Sequence, residues 1–236
     1  MPGALGHEAG VATTGNVRTT STAWTIGGSF NAPATVSFSA PTVTVPAKGM
    51  ATVDVTIAAN AGLVNQGMYG GYITLTPQGG GATSLIVPYA GFKGDYQSIQ
   101  VLNPGTNGFP WLATQNGGSY TRCAAPAGCS YTMATAATRP YVLYHLAHYA
   151  RYLKLEALDH GTGQSKGVIA EGDYLSRSAS PGNFFTLSWN GTTTEGVQPN
   201  GVYRFRLSVL KAQGDANNAA HWETWDSLPV IVARPN

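Results

Sequence analysis

Nucleophilic catalysis needs a serine or cysteine beside a base, and a carboxylate that orients the base. The chain carries five histidines, His7, His145, His148, His160 and His221, and no Gly-Xaa-Ser-Xaa-Gly elbow accompanies them. His145-Leu146-Ala147-His148 suggests a metal pair at first sight. On a strand, however, an odd spacing turns the two rings to opposite faces, so both read as structural or surface histidines. His7-Glu8-Ala9-Gly10-Val11 begins like a zinc-peptidase helix, but valine stands where the second histidine is needed, and the segment reads as a disordered or strand-edge terminus. Asp95, Asp173 and Asp215 each follow a glycine in what read as turns. Calcium takes clustered hard oxygens. With 11 acids and no Asp-Xaa-Asp-Xaa-Asp run, no cofactor is expected and a structural calcium is left without nameable ligands. Cys123 and Cys129, six positions apart across Pro126 and Gly128, read as a disulfide closing a small loop. Two free thiols in a flexible loop are the alternative; zinc would want two further ligands. A disulfide implies an oxidising, secreted setting.

The elements that must position these residues are foreshadowed by composition. Charged residues make up 10% of the 236, far below the roughly 25% of an average soluble domain, while apolar residues make up 43%. The polar surface must come from Thr, Ser, Asn, Gln and Gly, a balance common in extracellular β-proteins. Thirty glycines and 14 prolines supply the turns that short strands need. A net charge of +2 gives no case for nucleic acid or an anionic membrane, and no run of 18 apolar residues is present to span a bilayer. Met1-Pro2-Gly3 reads as a fragment start rather than a secretory leader. Five tryptophans (Trp24, Trp111, Trp189, Trp222, Trp225) and 12 tyrosines could stack on pyranose faces, though most are expected in the core; the tyrosine-rich 131–152 region is the candidate binding face. Asn190-Gly191-Thr192 matches a glycosylation sequon, here first of all a turn.

Alternation of period two dominates, and no long helical period appears. Strands are expected at Thr35–Ser39, Thr42–Val45, Ala51–Ile57, Tyr72–Thr76 and Ser84–Tyr89, with turns at Pro46-Ala47-Lys48-Gly49 and Pro77-Gln78-Gly79-Gly80-Gly81; Trp24-Thr25-Ile26 is a weaker candidate. In Ala51–Ile57, Val53, Val55 and Ile57 share a face, the pattern of a half-buried antiparallel strand. Residues 93–140 read as long and irregular. Further strands follow at Tyr141–Leu146, Tyr152–Leu158, Phe184–Trp189, Val202–Leu210 and Leu228–Val232, with one short helical turn around Asn217–Ala220. In Val202–Leu210, Tyr203, Phe205, Leu207 and Val209 face in and Arg204, Arg206 and Ser208 face out. The expected fold is all-β: two antiparallel β-sandwich domains, immunoglobulin/fibronectin-III-like, over residues 1–93 and 94–236, the second larger and opening on the irregular stretch.

Two stretches carry a family likeness. Val87-Pro88-Tyr89-Ala90-Gly91-Phe92-Lys93-Gly94-Asp95-Tyr96 resembles the last strand of the fibronectin-III-like domain that follows the catalytic domain of large subtilisin-like serine proteases. Val43–Gly49 with Val53-Asp54-Val55-Thr56-Ile57 looks like the same domain. Phe185–Thr192, containing Trp189-Asn190-Gly191-Thr192, and Pro199-Asn200-Gly201-Val202-Tyr203-Arg204 are similar to a Trp-Asp-Gly-Thr … Pro-Asp/Asn-Gly-Xaa-Tyr pattern near the C-terminal ends of those proteases. Asn190 departs from the family's usual Asp; either tolerates positive φ before glycine, so the turn survives. The motifs span about two thirds of the chain in the family's order. They imply structural roles for Pro88, Tyr89, Gly91, Phe92, Gly94, Asp95, Trp189, Asn190, Gly191, Thr192, Gly201 and Tyr203, and no catalytic or metal-binding residue. The catalytic Asp, His and Ser motifs of that family do not occur here, and the chain looks like the part downstream of the serine.

The expectation is therefore a secreted or cell-surface, non-catalytic accessory region. Its partners would be the protease catalytic domain in cis and protein substrates, with no nucleic acid. The alternative is a free-standing extracellular adhesion or carbohydrate/protein-binding module.

Overall fold

The computed structural model describes residues 2–9, 12–13, 29–30, 34–79 and 83–235. The candidate strand Trp24-Thr25-Ile26 lies outside them, as do Gly80 and Gly81. The chain divides into two compact units, Met1–Tyr96 and Gln97–Asn236, and the secondary structure is strands joined by turns, with three single-turn 3₁₀ segments among the described residues.

In the first unit, β1 (Pro2–Ala9), β2 (Ala12–Thr13), β3 (Ser29–Phe30), β4 (Thr35–Phe38), β5 (Thr42–Thr44), β6 (Val55–Ala58), β7 (Met68–Pro77) and β8 (Leu85–Phe92) follow in order. Four of them form a sheet in the order β5-β1-β7-β8, while β4 pairs with β6 and β2 with β3. The His7-Glu8-Ala9 segment is thus strand rather than helix: it pairs with Ile73, Tyr72 and Gly71 of β7, while β5 reaches only Pro2–Ala4 on the other side of β1. The strand expected from Ala51 begins only at Val55. Ser39 explains the delay, because its hydroxyl accepts the Asp54 N–H at 2.9 Å where a neighbouring strand would offer a carbonyl. Pro88 is tolerated because β8 is the last strand of its sheet, where a missing N–H costs no ladder bond.

The second unit contains β9 (Trp111–Asn116), β10 (Ser119–Arg122), β11 (Cys129–Tyr131), β12 (Tyr141–Tyr144), β13 (Ala150–Asp159), β14 (Ser165–Leu175), β15 (Phe185–Ser188), β16 (Thr192–Thr193), β17 (Gly196–Val197), β18 (Gly201–Lys211), β19 (Trp222–Asp226) and β20 (Val230–Val232). A four-stranded sheet runs β10-β9-β12-β15; a six-stranded sheet runs β11-β20-β18-β13-β14, with β19 also on β18. The stretch expected to be irregular therefore holds three strands. The Asn116-Gly117-Gly118 turn, with φ of +53° and +90° at its glycines, closes the β9–β10 hairpin. Its flanks escape a period-two reading because Leu112 and Ala113, on opposite faces, are both buried. The antiparallel expectation also needs correction at one place, since β11 runs parallel to β20.

Between the two sheets lies the main core. Leu153, Leu155 and Ala157 of β13 and Tyr203, Phe205, Leu207 and Val209 of β18 meet Leu112, Val142 and Tyr144 of the opposite sheet, with Trp189 among them. Arg204 and Arg206 lie outward as the alternation predicts, but Ser208, expected outward, is buried, as is Leu210 on the same face. The second edge of β18 is shared by β19 and β20, which are separated at Ser227. Its N–H donates to the Phe205 carbonyl at 2.9 Å, and its hydroxyl accepts the Phe205 N–H at 2.9 Å while donating to the Leu228 carbonyl at 2.7 Å. The buried break is thereby fully hydrogen-bonded.

Cys123 and Cys129 form a disulfide. Cys123 follows β10, the edge strand of the four-stranded sheet, and Cys129 opens β11, the edge strand of the six-stranded sheet. The bond ties one sheet to the other along a single side of the sandwich. Gln97–Leu102 is tied on by different means: Glu223 of β19 accepts the N–H groups of Val101 at 3.0 Å and Leu102 at 2.6 Å and pairs with Lys211 at 3.4 Å.

Replacing both cysteines by serine is expected to lower the unfolding free energy by about 2 kcal/mol, the entropy of closing so small a loop; a denaturant midpoint equal to the parent's would exclude a stabilising role. Two of the buried tyrosines on this core should behave oppositely. The Tyr203 hydroxyl donates to the Pro199 carbonyl at 2.8 Å, whereas the buried Tyr131 hydroxyl has no partner among the described residues. Tyr203→Phe should cost about 1 kcal/mol and Tyr131→Phe should be neutral or stabilising in the same titration.

Candidate functional site

Among the described residues, the histidines and the three aspartates singled out by sequence do not converge. His145 is buried and its Nδ1–H donates to the Asn183 carbonyl at 2.7 Å; His148 is buried with its ring edge-on to Tyr149. In His221, Nδ1 accepts the Asp215 N–H at 2.8 Å. Asp95 lies in the turn after β8, Asp215 in the turn after β18, and Asp173, expected in a turn, sits within β14 opposite Tyr152. No three His, Cys, Asp or Glu side chains come together among the described residues in a way that could hold a metal ion.

The first motif builds the end of the first unit's sheet. Pro88, Tyr89, Gly91 and Phe92 of β8 stand opposite Tyr72, Gly71, Tyr69 and Met68 of β7. Gly91 lies flat against the Tyr69 ring, where any Cβ would collide. Phe92 meets Tyr96 edge-to-face at 5.2 Å, and Gly94 turns the chain with φ of +102°. Burial, and secondarily Tyr69, raises the Tyr89 pKa. Lys93, which the motif contains but which reads as an ordinary surface charge, is its anchor. Its ammonium donates to the carbonyls of Asn60 at 3.2 Å, Ala61 at 2.7 Å and Leu63. All three donors of the ammonium are used in closing the 60–63 loop.

The second motif is a folded plug. Trp189 is buried, packs edge-on to Tyr203 at 5.2 Å and Phe205 at 5.3 Å, and donates its indole N–H to the Thr192 carbonyl at 2.8 Å. Asn190 does not take positive φ; it acts through its side chain, accepting the Thr192 N–H at 3.0 Å. The left-handed residue is Gly191, at φ +92°, and a Cβ there would collide with the Arg234 guanidinium. Arg234 in turn donates to the Gln198 carbonyl at 2.8 Å and exchanges hydrogen bonds with Asn200 at 3.0 Å. Gly201 opens β18, so Tyr203 is positioned by the same hairpin that seats Trp189. An Asp at position 190 could accept the same N–H, so the turn would survive that residue. Arg234 and Gln198 carry no sequence signal, because their partners are defined only by the fold.

Charge in the second unit gathers on one sheet face. Asp173, Glu171, Lys154, Glu156, Arg206, Arg204 and Asp226 lie on the outward side of β14, β13, β18 and β19. Arg206 grips Asp226 through two bonds of 2.8 Å, Lys154 pairs with Glu156 at 2.9 Å, and the Tyr152 hydroxyl donates to Glu171. Burial, reinforced by Glu171, pushes the Tyr152 pKa up to about 12. The aromatics of the opposite sheet's outer face close on themselves. Phe109 touches Trp111 at 4.7 Å and Phe184 at 5.2 Å, Tyr120 touches Tyr141 at 5.4 Å, and Arg122 covers Trp111 at 5.5 Å.

A family model described as an Fn3-like domain matches residues 4–90. The matched residues take in almost all the strands of the first unit and end within β8. No curated protein matches the chain. Among the described residues, no helix is long and apolar enough to cross a membrane.

The Arg206 guanidinium holds the Asp226 carboxyl below its ordinary pKa of 3.8. A lowered carboxyl pKa stabilises the fold above that ordinary value, and the contribution is lost as pH falls through the lowered one. Asp226→Asn should therefore cost about 0.5–1 kcal/mol at neutral pH, as befits a half-exposed pair. In denaturant titrations run at successively lower pH, the gap to the parent should close below pH 4; a pH-independent gap would show that the pair contributes nothing through its charge.

Proposed function

We propose that the chain is a non-catalytic accessory region of a secreted or cell-surface subtilisin-like serine endopeptidase. There it stabilises the catalytic domain in cis or positions protein substrate. The observation that carries this reading is the Val87–Tyr96 motif. It begins inside the segment matched as an Fn3-like domain and has the residue order of the strand that ends such a domain in those proteases. The Trp189–Thr192 and Pro199–Tyr203 motifs follow at the expected place downstream and support it. The roles of Pro88, Tyr89, Gly91, Phe92, Gly94, Asp95, Trp189, Asn190, Gly191, Thr192, Gly201 and Tyr203 in this reading are architectural. They hold two sandwich domains, proposed to span 1–93 and 94–236, in the shape that a neighbouring domain would contact. The disulfide is compatible with an extracellular setting.

The test is made on the native protein. An antibody against this chain and a fluorophosphonate probe for active serine hydrolases are applied to the medium and cell surface of the source. A single large band carrying both signals is the expected result. Antibody-reactive material that never takes the probe, at the size of this chain alone, would overturn the reading in favour of a free-standing adhesion module.

A further inference from the structure

One end of the second unit carries a cleft that neither motif explains. It has a volume of about 450 Å³, within the roughly 300–1,000 Å³ of small-molecule sites. Three strand ends converge there: the start of β13, the end of β14 and the turn after β18. Ala150, paired with Leu175 on one side and Lys211 on the other, forms the floor with Leu175. Tyr149 and Tyr174 wall it, and Arg151 and Gln213 complete the rim.

Three observations set this cleft apart. Tyr174 is 84% exposed and Tyr149 40%, so two tyrosines reach water at one mouth, Tyr149 steadied by its edge-to-face contact with His148. By contrast, the Phe109–Trp111–Tyr120–Phe184 cluster is occupied with itself. Next, five non-glycine residues among those described have positive φ, and two of them, Tyr174 at +53° and Gln213 at +58°, line this cleft. A bulky residue in the left-handed region is strained, and such strain is retained where the surrounding structure enforces a useful geometry. Finally, the rim is braced. Arg151 spends one of its five N–H donors on the Gly214 carbonyl at 2.6 Å, which fixes the guanidinium beside the cleft with donors to spare, and the Gly214 N–H closes the turn onto Lys211 at 2.9 Å.

We propose that this cleft binds a pyranose ring of an oligosaccharide. Flat aromatic walls suit the C–H faces of a sugar, Arg151 supplies donors to ring hydroxyls or to a uronate carboxylate, and the Gln213 amide supplies both a donor and an acceptor. The polar groups of this cleft come from side chains at the ends of β13 and β14 and in the turn after β18. The proposal goes beyond the accessory-region reading and stands on the second unit's geometry alone, so neither depends on the other.

The test is ¹⁵N chemical-shift mapping of the full chain with laminarihexaose, cellohexaose, chitohexaose and hexagalacturonate at millimolar concentration, and with carboxymethylated casein as the polypeptide control. At least one saccharide is expected to shift the amide signals of Ala150, Leu175 and Gln213. Tyr149→Ala and Tyr174→Gly should each weaken that binding roughly tenfold or more. Tyr174→Gly also separates binding from folding: glycine accepts φ +53° without strain, so this variant should melt at the parent's temperature or higher while losing the ligand. The proposal is overturned if no saccharide shifts the cleft signals, whether or not casein does, or if both variants bind as the parent does.

Discussion

Strand β18 pairs along both its edges and buries one entire face, and the second unit is organised around those simultaneous demands. Its inward side chains, Tyr203, Phe205, Leu207 and Val209, are almost wholly excluded from water. Only uninterrupted partners on both sides can satisfy its backbone. β13 supplies one side along its whole length, with a single register shift between Ala150 and Tyr152. The other is assembled from β19 and β20, and Ser227 fills the place where neither reaches. Trp189 then closes the core by lying against two of the four inward residues. Truncating such a side chain costs about 3–5 kcal/mol, more than the disulfide or any surface ion pair contributes.

A chain with so few charges uses them sparingly. Lys93, Glu223 and Arg234 each bind backbone groups of a segment distant in sequence and so tie the chain together. The ladder on the outward face of β13, β14, β18 and β19 gathers another seven charges of both signs. What remains exposed is largely neutral.

Legibility in the sequence followed burial pattern. Residues 202–207 alternate because one face of β18 is buried there and the other is wetter, and they were readable residue by residue; at Ser208 and Leu210 both faces are buried and the pattern stops. β12 was recognisable only as an apolar run, since all four of its residues are buried. The β9–β10 hairpin was obscured by having a second small core on its outer side, and β14 by glycines at 167 and 172 and by exposed polar residues. Of the two motifs, the residues themselves were visible, but the ties were not: the Glu223 carboxylate meets the N–H of Val101 across 122 positions. The cleft was the least legible feature. Tyrosine at position 174 gives no hint of a left-handed backbone, which in a sequence is announced by glycine or asparagine.

The disulfide between β10 and β11 has a mechanical meaning. Two stacked sheets can separate by hinging open like a book, and a covalent bond along one edge removes that side from the available motions. Pulling on the sandwich must then be resisted by the non-covalent packing at the far edge, where β14 and β15 end their sheets, or by shearing β18 out from between its neighbours. Shear loads many hydrogen bonds together, whereas hinging loads them one at a time. The position of the Cys123–Cys129 bond therefore makes the second unit stiff under tension on one side and compliant on the other.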